Sequence, residues 1–165
     1  MCKNACCFLG HRTIKETKEL KSKLNEIIEK LIVENSVDIF LLGSKSQFNS
    51  ICLSIVTAIK EKYPHIKRVY VRAEYPYIDD SYKNYLLEFY DKTYYPENLH
   101  NSGRAAYVKR NYEMIDKSEY CIVYYSSEEA PKHRKSGTQI AYDYAVKKGK
   151  KIINIAEMEK TGKDG

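Results

Sequence analysis

Three short turns of small and polar residues have the composition of anion-binding sites. They are Gly10-His11-Arg12, Gly43-Ser44-Lys45-Ser46 and Ser136-Gly137-Thr138. Each lies between an apolar run of strand length and a stretch with helical periodicity, so each is expected at or beside the start of a helix. Backbone N–H groups at a helix start have no intrahelical partner and the positive end of the helix dipole lies there, so a phosphate or carboxylate can bind.

Basic side chains accompany these turns. Arg12 and Lys45 lie within two of them, and Arg104 and Arg110 lie on a later predicted helix. An arginine suits paired phosphate oxygens because its donors form a planar fork. We therefore predict a phosphate-binding cleft. Its predicted ligand-binding residues are Gly10, His11, Arg12, Gly43, Ser44, Lys45, Arg110, Ser136, Gly137 and Thr138.

Ordinary structural roles are the alternative for the same residues. Ser44, Ser46 and Ser136 belong to a residue type that commonly caps helices, and Gly137 could serve only as a turn residue. Arg12 could form a salt bridge with a nearby carboxylate, and a lone loop histidine such as His11 is more often neither a base nor a ligand. The residues alone leave both explanations open.

The elements that would position these turns follow from hydrophobic periodicity. Five apolar segments have strand length, at residues 5–9, 38–42, 66–73, 119–125 and 152–155. The first helix is predicted to begin at a capping box of Thr13 and Glu16 and to end at Asn35-Ser36. Pro64 is expected to close the second helix, residues 104–117 to form another, and Gly149 to follow the last one.

The alternation of strands and helices predicts the fold class. It is typical of an α/β three-layer sandwich with a mostly parallel five-stranded sheet, here as a single domain over residues 1–165. Ligands of such sheets bind beyond the carboxyl ends of the strands, where the strand order reverses. The chain contains no G-x-G-x-x-G and no G-x-x-x-x-G-K-[ST] sequence, which disfavours an ordinary dinucleotide fold and a P-loop.

Residues 75–103 break the regular pattern. They contain several turn-like dipeptides, with a short helix expected near residues 81–90, and are predicted to form an irregular insert that serves function or shapes an interface. Glu74, at the end of the third predicted strand, and Asp79 and Asp80, inside the insert, are carboxylates that could reach the predicted cleft. The tail after residue 157 is expected to be frayed.

Composition limits the class of protein. The 165 residues carry a formal net charge of +6, which favours anionic partners. No signal peptide and no apolar run of membrane-spanning length is recognised, so we expect a cytoplasmic protein that does not bind membranes. The five cysteines are odd in number and lie mostly in apolar segments, which indicates reduced core thiols, and no Cys/His pair has metal-site spacing.

Short motifs along most of the chain resemble one family. The segment Cys7-Phe8-Leu9-Gly10-His11-Arg12 is similar to the opening C-F-x-G-H-R of the SLOG superfamily, in particular to its small stand-alone bacterial members. The resemblance continues through Gly43-Ser44 with Phe48-Asn49, through residues 62–66 and 110–116, and ends at Ser136-Gly137-Thr138 and the last strand. It implies a Rossmann-like fold, a nucleotide-like ligand and a homo-oligomer.

The same resemblance bears on catalysis. The superfamily includes phosphoribohydrolases of the Lonely-guy type, and also DprA-type proteins that bind single-stranded DNA. Arg110-x-x-x-Met114 matches the arginine motif of the hydrolases, but Ala141 stands where their glutamate is expected. A carboxylate normally stabilises the charge that develops when an N-glycosidic bond breaks. The resemblance therefore leaves the catalytic residues unknown, with Glu74, Asp79 and Arg110 as weak candidates.

Several functions follow as hypotheses. The first is binding of a nucleotide or nucleotide-derived small molecule, with no cofactor besides such a bound nucleotide and no metal. The alternatives are an N-glycosidic hydrolase or transferase acting on nucleotides, a single-stranded nucleic-acid binder that uses the positive charge and tyrosines, and a protein-interaction module with a vestigial cleft.

Overall fold

In the computed structural model, which describes residues 4–128 and 135–158, six strands form one fully parallel sheet. The strand order is β4-β3-β2-β1-β5-β6, with every neighbouring pair parallel. The strands are β1 Ala5–Gly10, β2 Ile39–Leu42, β3 Lys67–Val71, β4 Lys92–Tyr94, β5 Tyr120–Tyr124 and β6 Lys151–Asn154. The α/β class is confirmed, whereas the prediction of five strands is wrong.

Helices cover both faces of this sheet. They are α1 Lys18–Asn35, α2 Gln47–Lys60, α3 Asp80–Leu86, α4 Ala105–Asp116 and α5 Gly137–Lys147, and a short 3-10 turn spans Glu97–Leu99. One buried cluster joins α1 and α2 to the sheet, for example through Leu24 and Phe48. A second cluster joins α4 and α5 to the other face, through Met114 and Ala145. The sheet and its two helical layers form the predicted three-layer sandwich.

The missed strand, β4, lies inside the segment predicted to be an irregular insert. Residues 75–103 contain α3, β4 and the 3-10 turn, so β3, α3 and β4 form a crossover unit. Arg72 fixes its start by donating to the Tyr75 carbonyl and to Thr93 Oγ1, each at 3.0 Å. Because β4 has only three residues, Lys-Thr-Tyr, it lacks the apolar run that marks a strand in sequence.

The first helix begins later than its sequence signal indicated. Thr17, rather than Thr13, is the N-cap of α1, and its Oγ1 accepts the Leu20 N–H at 3.1 Å. The loop before it is held elsewhere, because Ile14 is buried and its N–H donates to Gln47 Oε1 at 3.0 Å. This tie to α2 keeps the chain extended past Thr13, so the predicted capping box does not form.

The described cysteines are core thiols. Cys6, Cys7, Cys52 and Cys121 are buried and free, as the sequence predicts. Burial raises the pKa of Cys6, Cys7 and Cys52 well above the ordinary value of a thiol. Such thiols are protonated at neutral pH and are poor nucleophiles.

Two further sequence expectations concern the C-terminal tail and membrane-spanning helices. Residues 159–165, which make up most of the tail expected to be frayed, lie outside the described residues. Among the helices that the structure describes, none combines the length and the apolar character that crossing a membrane requires.

Candidate functional site

A cleft of about 820 Å³ opens at the carboxyl edge of the sheet. It lies where the strand order reverses, since β1 pairs with β2 on one side and with β5 on the other. All ten residues predicted to bind a ligand line this one cleft. They are Gly10, His11, Arg12, Gly43, Ser44, Lys45, Arg110, Ser136, Gly137 and Thr138.

Two glycines at the strand ends allow close packing beneath the cleft. A Cβ on Gly10 would lie 2.3 Å from the ring of Phe48, and one on Gly43 would lie 2.7 Å from Arg110 Cδ. Asn49 connects the same strand ends, because its Oδ1 accepts the Gly43 N–H and its Nδ2 donates to the Phe8 carbonyl, both at 3.3 Å. Phe48 and Asn49 thus position the cleft without lining it.

The start of α2 is occupied by the protein itself. The Gln47 N–H donates to the Arg12 carbonyl at 2.8 Å, and the Asn49 N–H donates to Ser46 Oγ at 3.1 Å. Ser44 Oγ donates to Ser46 Oγ at 2.7 Å and accepts the Ser46 N–H at 3.1 Å. The alternative of an ordinary capping role is confirmed for Ser46, and Ser44 supports that cap.

At the start of α5, no described residue occupies the first two backbone donors. Ser136 is the N-cap, and its Oγ accepts the Gln139 N–H at 3.0 Å. The N–H groups of Gly137 and Thr138 have no acceptor among the residues that the structure describes. Apart from its chain neighbours and the backbone of its own helix, no described atom lies within 4 Å of where a Gly137 Cβ would be. An anion can therefore approach these two donors at the positive end of an eleven-residue helix.

His11 links two strand ends under the cleft. The residue is only 8% exposed, and its Nε2 accepts the Ser126 N–H at 3.0 Å. Its own backbone N–H donates to the Tyr124 carbonyl at 3.3 Å. Because Nε2 is the acceptor, this bond requires a histidine without a proton on that nitrogen. His11 therefore orders the turn after β5.

Arg110 is a buried cation that faces the cleft. It is 4% exposed and lies on α4, where its Nη1 donates to the Gly43 carbonyl and its Nε donates to Asn111 Oδ1 at 2.9 Å. Its guanidinium lies 5.9 Å from the centre of the Tyr107 ring. No carboxylate of the described residues forms an ion pair with it. Burial lowers its pKa, although a guanidinium stays charged at neutral pH.

Glu74 is the carboxylate of the cleft. It accepts the Tyr107 hydroxyl at 2.7 Å and pairs with Lys45 at 3.3 Å. The bond from Tyr107, and to a smaller extent the pair with Lys45, lowers the pKa of Glu74. It is therefore ionised at neutral pH. Asp79 does not line this cleft and instead caps α3, where it accepts the Tyr82 N–H at 2.8 Å.

The position of Ala141 has a structural explanation. Ala141 is 1% exposed and lies in the core cluster beneath α5. Asp143, two residues further along, is exposed and pairs with Lys135 at 2.9 Å. Neither residue lines the cleft, so α5 brings no carboxylate to it.

The charge of the cleft is strongly positive. Within the described residues its lining has one carboxylate, that of Glu74, and five cations, which are Arg12, Lys45, Arg104, Arg110 and Lys135. No group of three or more His, Cys, Asp or Glu side chains among the described residues is arranged to hold a metal ion. The arrangement therefore attracts an anionic ligand.

Sequence reasoning missed part of the lining. Tyr70, Tyr107 and Asn111 contribute to the cleft but were not predicted to do so. Tyr107 follows Arg104 by three residues, and Asn111 follows Tyr107 by four, so helical spacing places them on one face and offered a usable signal. Tyr70 gave no such signal, because it belongs to a strand whose alternation also suits a surface position.

Comparison with known proteins does not assign the chain to a family. No protein-family model and no curated protein matches the chain. The function has to be inferred from the cleft itself.

Proposed function

We propose that the protein binds a nucleotide or nucleotide-derived small molecule through its phosphate at the carboxyl edge of the sheet. The observation that carries this proposal is Arg110, a buried cation in the cleft with no carboxylate partner among the described residues. A buried charge without an ion-pair partner is costly. An anion bound in the cleft offsets that cost.

The open start of α5 supports a phosphate as the anionic group. Gly137 and Thr138 offer two backbone donors, and the exposed Arg12 lines the same cleft. Tyr70 and Tyr107 also line the cleft, and their rings suit the apolar faces of a sugar and base. A cleft with this mixture of polar and aromatic residues, at about 820 Å³, has the size of a small-molecule site.

The resemblance to the SLOG superfamily agrees with this proposal. The motifs that carry it, Gly10-His11-Arg12, Gly43-Ser44 and Ser136-Gly137-Thr138, are also the turns around the cleft. We extend the proposal to a cytoplasmic, homo-oligomeric member of that superfamily with a Rossmann-like domain.

Thermal-shift measurements with a panel of purine and pyrimidine nucleotides test the proposal. At a ligand concentration about 100 times Kd, stabilisation of about 2.7 kcal/mol is expected, which raises Tm by about 5–10 °C in a chain of this size. Native mass spectrometry of freshly purified protein should show the same ligand if it copurifies.

Arg12→Gln is the variant that probes the phosphate contact. Arg12 is exposed, and its side chain forms no ion pair within the described part of the chain, so its removal should leave the fold intact. Losing a hydrogen bond between charged groups is expected to weaken binding about 10- to 100-fold. Lys23→Gln, on the exposed face of α1, removes the same charge away from the cleft and should bind normally. Equal ligand-induced shifts in both variants would exclude the proposed phosphate contact.

Hydrolysis of an N-glycosidic bond is a second candidate function. The observation that favours it is Glu74, an ionised carboxylate that lies in the same cleft as Arg110. A carboxylate there can stabilise positive charge that develops on a sugar. Its hydrogen bond to Tyr107 and its pair with Lys45 fix its orientation.

Release of free base from nucleoside monophosphates, followed by chromatography, tests the second candidate. If the protein is a hydrolase that uses Glu74, Glu74→Gln should lower the rate at least about 100-fold while nucleotide binding persists. Binding without base release in the wild type would leave the protein a binder alone. Release that survives in Glu74→Gln would exclude Glu74 as the carboxylate.

A further inference from the structure

Two sets of unused hydrogen-bond donors lie at different places in the cleft. The first is the pair of N–H groups of Gly137 and Thr138 at the start of α5. The second is the guanidinium of Arg110. Of its five N–H groups, one donates to the Gly43 carbonyl and one to Asn111, which leaves three without an acceptor among the described residues.

These two donor sets are anchored to different strands. Arg110 is held by the Gly43 carbonyl, immediately after β2, whereas α5 follows β5 and packs against β5, β1 and the Arg110 helix α4. Because β2 and β5 flank β1 on opposite sides, their ends are two strand spacings apart, or about 10 Å. A ligand with two anionic groups can meet both donor sets at once.

The charge of the cleft also exceeds that of one phosphate. Lys45 pairs with Glu74 inside the cleft, and Lys135 pairs with Asp143 outside it. The remaining three cations, Arg12, Arg104 and Arg110, have no carboxylate partner in the described part of the chain. A phosphomonoester carries only about 1.5 to 2 negative charges at neutral pH.

We propose that the ligand is a nucleotide with at least two phosphoryl groups, one bound at the start of α5 and another bound by Arg110. This inference rests on the proposed function and specifies the class of nucleotide. Two chemical forms satisfy it: a diphosphate chain, and separate phosphates on the two sides of the ribose. The negative charge of Glu74 lies near Arg110. It would repel any anionic group on that side of the cleft that is larger than one phosphoryl group.

Isothermal titration of the full chain with AMP, ADP and adenosine 3′,5′-bisphosphate tests the inference, and the matching guanosine series controls for the base. In at least one series, the diphosphate or the bisphosphate is expected to bind about 10- to 100-fold more tightly than the monophosphate. The reason is that its second phosphoryl group makes one further charge-assisted contact. Tighter binding of the diphosphate identifies a diphosphate chain in the ligand. Tighter binding of the bisphosphate identifies separate phosphates on the ribose.

Arg110→Met should reduce that advantage to less than about threefold, while monophosphate binding at α5 changes little. Because Arg110 is buried and bonded to Gly43, circular dichroism must first show that the variant is folded. If it is not folded, Arg104→Gln, on an exposed residue of the cleft, is expected to reduce the same advantage.

The outcomes separate this inference from the proposed function. Equal affinities for the mono- and diphosphorylated forms in both series would overturn the inference and leave nucleotide binding in place. An advantage that is unchanged in the folded Arg110 variant would also overturn the assignment of Arg110. No binding by any of these nucleotides would contradict the proposed function itself.

Discussion

Replacing Gly137 by aspartate is expected to abolish nucleotide binding while leaving the fold at least as stable. Gly137 is the first residue of α5 and does not have a positive φ. Apart from its chain neighbours and the backbone of its own helix, no described atom lies within 4 Å of its Cβ position. A carboxylate in this first turn, which has no acidic residue, should stabilise the helix by about 0.3–1 kcal/mol.

The same carboxylate would repel a phosphate bound at the helix start. Two unit charges about 4 Å apart interact by about 4 kcal/mol at the effective dielectric constant of a protein surface. We therefore expect ADP to bind at least about 100-fold more weakly to Gly137→Asp than to the wild type, measured by calorimetry. Gly137→Asn has the same shape without the charge and should lose much less affinity. Undiminished ADP binding by Gly137→Asp would place the phosphate elsewhere.

Replacing Gly10 by alanine is expected to destabilise the fold strongly. The new Cβ would lie 2.3 to 2.6 Å from three atoms of Phe48, including two of its ring carbons. Phe48 is fully buried in the core cluster of α1, α2 and the sheet, so its ring is surrounded by other core residues. Overpacking of this kind typically costs about 1–3 kcal/mol, and we expect the upper part of that range.

Urea denaturation of a double-mutant cycle measures this effect. Phe48→Ala should itself cost about 3–5 kcal/mol. In the Phe48→Ala background, Gly10→Ala should lower the free energy of unfolding by at least about 1 kcal/mol less than it does in the wild type, because the two residues are in contact. Gly137→Ala is the matched control, since open space surrounds that glycine within the described structure. Equal costs of Gly10→Ala with and without Phe48 would show that the ring does not limit this position.

Much of the architecture could be predicted from local patterns. The strands β1, β2, β3, β5 and β6 are four residues or longer, and the helices between them have clear apolar faces. That the candidate residues lie together could then be predicted from the topology, because the carboxyl ends of parallel strands share one edge of the sheet. The strand β4 escaped detection because three residues, only partly buried, carry no periodic signal.

The state of each helix start could not be predicted, because it depends on contacts distant in sequence. The turn before α2 and the turn before α5 have similar small, polar residues. Only the structure shows that the Arg12 carbonyl occupies the first, whereas at the second no described residue accepts from Gly137 or Thr138. The burial of Arg110 is likewise a tertiary feature, since its anchor, the Gly43 carbonyl, is 67 residues away.

Nuclear magnetic resonance of ¹⁵N-labelled protein during titration with ADP tests the central claim most directly. If phosphate binds at the start of α5, the amide signals of Gly137 and Thr138 should shift most, together with the Nη–H signals of Arg110, because these groups meet the anion. The amide of Gln47, which already donates to the Arg12 carbonyl, should shift less. Saturable binding that leaves the signals of Gly137, Thr138 and Arg110 unchanged, or the absence of any shift with ADP and the other nucleotides, would contradict the account.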